Sequence, residues 1–278
     1  MLVYLYSLTY SGSVGSRVEA LLRYYAGKGV LTVLAMPPHL SSMSYYFGQL
    51  TALYDCFYRS RYTSNYIVMQ DWDEYILPLK HNNWNEMLTV LERNASEYNS
   101  DLGQKTGSFG FLCSYYMHMR LKSSEWDQFK REFPISEDDF DFILDYKAEI
   151  FIEQHRFDFH EYPVRIKSIF RPEAVVEPGI HFPYVMRKNA RMEEVNSTVG
   201  FLAHHNPHPH GYKLKPVFHL HASVWYREYL DRLIQADKDF QAFIILPKPD
   251  SDLQAFKDVQ KELPVIKSRK VIRRPKAR

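Results

Sequence analysis

The stretch from Tyr66 to Pro78 constrains the fold of this chain more than any other. Its first residues, Tyr66 to Met69, form an apolar run as long as a buried strand. Three carboxylates follow, at Asp71, Asp73 and Glu74. In an open α/β sheet, ligands bind outside the carboxyl ends of the strands, and hard divalent cations take carboxylate oxygens. Asp71 and Asp73 are therefore candidate ligands for a metal ion that also holds a diphosphate.

The spacing of the two aspartates leaves a second interpretation open. Residues two apart on an extended strand point the same way, so Asp71 and Asp73 would share a face. Asp-X-Asp triplets are also common on solvated turns, because acidic side chains are mostly exposed. A second apolar pair, Ile76 and Leu77, and the stop at Pro78 favour the functional interpretation.

Several further blocks occur around this stretch in a fixed order. Gln49, Asp55-Cys56 and Arg59 precede it, and Lys167 to Pro172 and then His181 follow it. With these blocks the chain resembles glycosyltransferase family 92, the DUF23 domain, over roughly residues 2 to 225. The resemblance implies a GT-A type fold and an inverting, metal-dependent transfer of galactose from a UDP-sugar to a glycan.

The resemblance also implies roles for particular residues. The shell of a Mn²⁺ or Mg²⁺ ion is expected from Asp71, Asp73 and His181. The UDP-sugar is expected to contact Asp71, Trp72, Asp73, Arg165, Lys167 and Arg171. Supporting roles are expected for Gln49, Asp55, Arg59, Glu74 and His204. No residue is assigned as the catalytic base.

Two of these groups also have a purely structural interpretation. Asp55 and Arg59 are four apart on a predicted helix, which is the spacing of a surface ion pair. From Arg165 to Arg171, basic and apolar residues alternate, which predicts a strand with a basic face. Such a face would stabilise the charge on a leaving diphosphate, or it would protect the edge of a sheet.

Two further segments, one acidic and one rich in histidine, lie outside the stretch from Tyr66 to Pro78. Five carboxylates between Glu137 and Asp145 indicate either an acceptor-side loop, which could supply a base, or a solvated face. Four histidines lie between His204 and His210, and imidazoles suit transition metals. The resemblance aligns only His204, since His205 and Asn206 depart from the family pattern.

The periodicity predicts one mixed α/β domain with a central mixed, mostly parallel sheet flanked by helices. Strands are predicted at 2–6, 30–36, 66–69, 109–112 and 165–170, and helices at 13–26, 43–61, 84–98 and 224–236. Residues 1–225 would form the transferase domain, and 226–278 a helical segment with a basic tail. The family's first strand finds no counterpart before Met1, so we expect an N-terminally truncated chain.

The composition fits one globular domain and argues against nucleic acid as a partner. At 278 residues and 45% hydrophobic content, the chain can bury one large core. The formal charge is +2, but seven of the last twelve residues, from Lys267 to Arg278, are basic, which leaves about −5 on the rest. The expected partners are a nucleotide sugar and a glycan acceptor.

The cysteines and the ends of the chain indicate little about its compartment. Cys56 and Cys113 are the only cysteines, so one disulfide is compatible with the sequence but not implied. No apolar segment is long enough to span a membrane, and no signal peptide is visible. Sequons at Asn94 and Asn196 are compatible with a secretory lumen. The resemblance implies the Golgi lumen or membrane, reached through an anchor that this sequence does not contain.

Two other functions stay open. A glycan-binding or regulatory pseudoglycosyltransferase would keep the fold without turnover, and a metal-dependent hydrolase would use the same carboxylates. The sharpest structural expectation concerns His181. We expect the strand at 165–170 beside the acidic strand, and Gly179 to let the next loop bring His181 within about 10 Å of Asp71 and Asp73.

Overall fold

The chain contains both helices and strands, as the sequence predicts for a mixed α/β domain. The computed structural model describes residues 5–10, 15–36, 48–99, 103–117, 121–132, 136–145, 155–160, 163, 165–205, 217–218 and 225–245. In this part of the chain, no helix is both long enough and apolar enough to cross a membrane.

The first three elements form the predicted βαβ unit. They are β1 (Leu5–Tyr10), α1 (Ser16–Gly27) and β2 (Leu31–Met36). The two strands pair in parallel, with α1 as the crossover helix. β1 extends to Tyr10, beyond the predicted strand at 2–6, and residues 2–4 lie outside the described part.

The next elements surround the acidic stretch. They are α2 (Gln49–Ser60), β3 (Ile67–Val68), β4 (Glu74–Pro78), α3 (Trp84–Asn99), β5 (Lys105–Phe111) and β6 (Cys113–Met117). The apolar side of α2 packs Phe57 against Ile67 and Val175, as its helical spacing predicts. β3 is shorter than the predicted strand at 66–69, and Glu74 begins β4 instead of following β3 in a loop.

The second half of the chain contains mostly short strands. The elements are α4 (Ser123–Glu132), α5 (Glu137–Asp145), β7 (His155–Arg156), β8 (Lys167–Phe170), a 3₁₀ helix (Pro172–Ala174), β9 (Val175–Glu177), β10 (Val185–Met186), β11 (Ala190–Val195), β12 (Gly200–His205), β13 (Val217–Phe218) and α6 (Trp225–Ile245). The predicted helix at 224–236 therefore continues to Ile245.

The described strands form two larger mixed sheets and two separate strand pairs. One sheet has the order β11-β5-β8-β3, and the other has the order β13-β7-β6-β12-β4. The mixed α/β class is confirmed. Among the described pairs, however, three are parallel and six are antiparallel, whereas the sequence predicted a mostly parallel sheet. The difference arises because β8 pairs antiparallel with both β3 and β5, and β12 with β4.

The last described helix contributes to the core of the larger sheet. Leu230 of α6 packs in one cluster with Leu77 and Phe201 of the larger sheet. Tyr24 of α1 also contacts α6, with its ring centroid 5.6 Å from that of Phe240. The predicted basic tail lies beyond α6, outside the described residues.

Both cysteines are free, so the disulfide that the sequence left open is not formed. Cys56 packs against a different core cluster from that of Cys113. Burial raises the pKa of the Cys56 thiol to about 11 and also raises that of Cys113. Neither thiol is therefore activated as a nucleophile at neutral pH.

Candidate active site

Asp71 and Asp73 lie on the tight turn that joins β3 to β4. The backbone N–H of Asp71 donates to Glu74 Oε2 at 2.8 Å, and the N–H of Glu74 donates to the carbonyl of Asp71 at 3.2 Å. The two aspartates therefore project from a turn and do not share the face of an extended strand. Their side chains are 45% and 44% exposed, respectively, so both carboxylates reach solvent.

A buried lysine connects this turn to the neighbouring strand. Lys167 Nζ, at the start of β8, lies 3.0 Å from Asp71 Oδ2 and 3.1 Å from Glu74 Oε2. Only 1% of the Lys167 side chain and 3% of the Glu74 side chain are exposed. Such burial is tolerated because each charge has an opposite partner in contact.

The buried pair shifts the pKa values of both partners. Burial raises the pKa of Glu74, although the charge of Lys167 opposes the shift. Burial alone would lower the pKa of Lys167, but the charges of Glu74 and Asp71 outweigh it and the pKa is raised. Lys167 is thus held in its charged form.

His204 supports the turn from the other side. Its Nε2 lies 3.3 Å from Asp73 Oδ2 and its Nδ1 lies 3.4 Å from Glu74 Oε1. β12 places it there, since His204 is opposite Glu74 in one strand pair and Tyr115 in the other. The His204 ring stacks on Tyr115 with centroids 4.5 Å apart. One imidazole therefore contacts two carboxylates.

Gln49 and Arg165 contact residues of this site from two other parts of the chain. Gln49 Nε2, at the first residue of α2, donates to Asp71 Oδ1 at 3.4 Å. Arg165 Nη1 donates to the Tyr115 hydroxyl at 2.5 Å. Arg165 lies in a turn with φ of 55°, a backbone conformation uncommon for residues other than glycine.

The remaining sequence candidates lie elsewhere. Asp55 and Arg59 form an exposed ion pair at 2.7 Å on α2, as the four-residue spacing allowed. Arg171 lies beyond the opposite end of β8 from Lys167, where its guanidinium contacts Glu92 and Glu173. The predicted basic face is wrong, because all four residues of β8 are buried and the two arginines lie outside the strand.

His181 lies in the loop between β9 and β10, and its Nδ1 is 3.2 Å from the Ile166 carbonyl. Partial burial and the charge of Lys167 lower the pKa of His181, while Asp71 acts on it in the opposite direction.

β8 lies beside β3, as predicted. Among the described residues, no group of three or more His, Cys, Asp or Glu side chains is arranged to hold a metal ion. The three-residue metal shell therefore stays a prediction.

The sequence interpretation missed two residues beside the turn. Tyr115 is 2% exposed beneath His204, and the His160 ring centroid lies 5.3 Å from that of Tyr115. Burial lowers the pKa of His160, and the charges of Arg165 and His204 lower it further. Tyrosines favour strands, but no local pattern in the sequence indicated Tyr115 or His160 as residues of a site.

The histidine-rich and acidic segments are only partly described. His204 and His205 end β12, while residues 206–210 lie outside the described part. The acidic run forms α5, where Glu137, Asp138 and Asp141 are exposed, as in a solvated helix face. Asp139 and Ser136 cap the helix reciprocally, with the Asp139 N–H donating to Ser136 Oγ at 3.1 Å.

Gly179 lets the loop that carries His181 pack closely on itself, because glycine has no side chain. A Cβ at this position would lie 2.2 Å from the Phe182 carbonyl oxygen and 2.5 Å from Cε1 of Tyr184. We expect Gly179→Ala to lower the free energy of unfolding by about 1–3 kcal/mol. Denaturant unfolding measures the change. Gly27→Ala is the matched control, since a Cβ there meets nothing within 4 Å. Equal stability of the two variants would contradict this packing.

Comparison with known proteins identifies the class of this chain. A mixed α/β fold with an exposed Asp-Trp-Asp turn is compatible with an enzyme that handles nucleotide sugars. The family model of glycosyltransferase family 92 matches residues 6–219, and the chain belongs to that family. Membership indicates a glycosyltransferase, with sugar and glycan substrates. No curated protein matches the chain.

Proposed function

We propose that this protein transfers a hexose from a UDP-sugar to a glycan acceptor with inversion. Galactose is the hexose that the family resemblance favours, and the Golgi lumen is the proposed compartment. One observation carries the proposal: the half-exposed carboxylates of Asp71 and Asp73 lie two residues apart on one turn, which buried Lys167 and Glu74 fix in place.

The donor set at this turn suits a divalent cation. Mg²⁺ and chemically similar ions are typically bound by one or two carboxylates and by substrate phosphates, with water completing the shell. Asp71 and Asp73 supply two such carboxylates. A Mn²⁺ or Mg²⁺ ion bound there would act as a Lewis acid on the departing diphosphate.

The surrounding side chains suit the binding of a nucleotide sugar. Trp72 is 68% exposed beside both aspartates and offers its ring to the base or the sugar. Arg165, which is exposed, supplies a cation at the Tyr115 hydroxyl. Gln49 and Lys167 fix the orientation of Asp71 through their contacts with its two carboxylate oxygens.

Inverting transfer forms one bond, breaks another and transfers one proton. The acceptor hydroxyl oxygen attacks the anomeric carbon on the face opposite UDP, the bond to UDP breaks, and the hydroxyl proton passes to a base. A turn that fixes the donor before this step lowers the entropy that must be lost in the transition state.

A transfer assay with the purified chain tests this function. We expect UDP-galactose, Mn²⁺ and fucosylated N-glycans to give a galactosylated product, and we expect EDTA to abolish the reaction. Mass spectrometry of the glycans measures the product. Absence of transfer from every UDP-hexose, with the protein folded, would contradict the proposal.

One observation favours the pseudoenzyme as a second candidate. Both carboxylates already contact a nitrogen of another side chain, Asp71 through Lys167 and Asp73 through His204. Calorimetry with UDP separates the candidates, because the enzyme is expected to bind UDP only with Mn²⁺. Glycan binding without any UDP binding would favour the pseudoenzyme.

A further inference from the structure

A group of exposed aromatic side chains lies beside the loop that carries His181. Tyr58 is 53% exposed on α2, and Tyr184 is 50% exposed in the loop before β10. Val185, which is 41% exposed and is paired with Glu177 across β9 and β10, widens the apolar surface. We name Tyr54, Tyr58, Tyr184 and Glu177 the tyrosine patch.

The core places these residues together. Phe57 of α2 and Val175 of β9 are both fully buried in one cluster, so the buried side of α2 packs next to β9. The rings of Tyr54 and Tyr58 are 6.2 Å apart between centroids. The N–H of Tyr184 donates to the carbonyl of Glu177 at 2.9 Å. Partial burial raises the pKa of Tyr54, and Glu177, Tyr58 and Tyr184 raise it further.

The Glu177 carboxylate is available within this patch. Its side chain is exposed, and it forms no hydrogen bond or ion pair within the part of the chain that the structure describes. A carboxylate accepts hydrogen bonds at two oxygens and so suits neighbouring hydroxyl groups. Tyrosine rings provide rigid apolar area next to a polar hydroxyl. Together they match a pyranose ring, which has an apolar face and a rim of hydroxyl groups.

Two elements that contact the candidate active site also carry residues of the patch. α2 starts at Gln49, which contacts Asp71, and Tyr54 and Tyr58 follow roughly 8 and 14 Å further along the helix axis. The loop from Pro178 to Tyr184 carries His181, whose ring contacts the Ile166 carbonyl next to Lys167.

We propose that the tyrosine patch binds the acceptor glycan, with a pyranose stacked on the tyrosine rings and its hydroxyl groups donating to Glu177. This proposal rests on the transferase function, since only a transferase needs an acceptor held beside its donor site. A self-associating surface is the competing use of exposed aromatic residues. The charge of the exposed Glu177 carboxylate argues against it, because two copies across a twofold axis would bring like charges together.

Glycan binding without any donor tests the patch separately from transfer. The probes are the methyl glycosides of galactose, N-acetylglucosamine, mannose and fucose, followed by saturation-transfer NMR. We expect at least one probe to bind the wild-type chain. We expect Tyr58→Ala and Glu177→Gln to weaken that binding about tenfold. Tyr62→Ala is the matched control, because Tyr62 is 89% exposed just beyond α2 and is not part of the patch.

Three outcomes would overturn the proposal. They are no binding of any probe to the wild-type chain, equal binding by wild type and both variants, or a change in oligomeric state without a change in glycan binding. UDP and Mn²⁺ binding by the same variants is expected to equal that of the wild type. Failure of the proposed transferase function would appear as a lack of UDP and Mn²⁺ binding. Failure of the patch proposal would leave UDP and Mn²⁺ binding unchanged.

Discussion

Lys167→Met is expected to lower the free energy of unfolding by about 3–5 kcal/mol, as breaking a buried ion pair typically does. The substitution keeps the volume of the side chain but leaves Glu74, 3% exposed, without its cation. Most of the loss comes from Glu74, because Asp71 is 45% exposed and its contact with Lys167 is screened by solvent. Denaturant unfolding followed by circular dichroism measures the change.

Two further variants identify the cause of this loss. Glu74→Gln in the Lys167→Met background removes the unpaired charge, so the double variant is expected to recover most of the stability. Lys130→Met is the surface control, since Lys130 and Glu137 are 38% and 82% exposed. If Lys167→Met is no more damaging than Lys130→Met, the buried pair does not stabilise the fold.

The position of the acidic turn could be predicted because its signals are local. An apolar run, three carboxylates and a second apolar pair lie within thirteen residues, from Tyr66 to Pro78. The helices α2 and α3 were predicted for a similar reason, since their apolar positions recur at helical spacing. One of the two interpretations of Asp55 and Arg59, the i to i+4 ion pair, also follows from local spacing. This ion pair is the one that forms.

The role of Glu74 could not be predicted, because it depends on partners far along the chain. A glutamate in sequence is expected to be exposed. In the fold, Lys167 of β8 and His204 of β12 meet it from two different sheets. No periodicity in the sequence indicates which strands will be neighbours. For the same reason, the antiparallel direction of β8 and β12 was not predicted.

The basic strand illustrates how a local pattern can mislead. Alternation from Arg165 to Arg171 indicated one basic face, but β8 is central in its sheet and all four of its residues are buried. Both faces of β8 are covered, so the strand offers no exposed face for charged residues. Only Lys167, with two carboxylate partners, lies on the strand, whereas Arg165 and Arg171 lie in the flanking turns.

Asp73→Asn is expected to reduce kcat/KM for transfer at least about 100-fold, since even indirect contacts to a metal are typically worth 10 to 100-fold. The amide keeps the shape of the side chain but removes one of the two negative charges on the turn. The fold is expected to be unaffected, because the Asp73 side chain is 44% exposed. Kinetics at several Mn²⁺ concentrations separate the causes. A higher requirement for Mn²⁺ indicates lost metal affinity, and a lower kcat at saturating Mn²⁺ indicates a lost contribution to the transition state.

Asp55→Asn is the matched control for this experiment. It makes the same chemical change in a carboxylate that is 37% exposed, but Asp55 pairs with Arg59 on the surface of α2 and not with the turn. Its kcat/KM is expected to equal that of the wild type. Equal kcat/KM for Asp73→Asn and the wild type would remove Asp73 from the metal site. Equal losses in the two variants would instead attribute the effect to the net charge around α2 and the turn, and not to a ligand at Asp73.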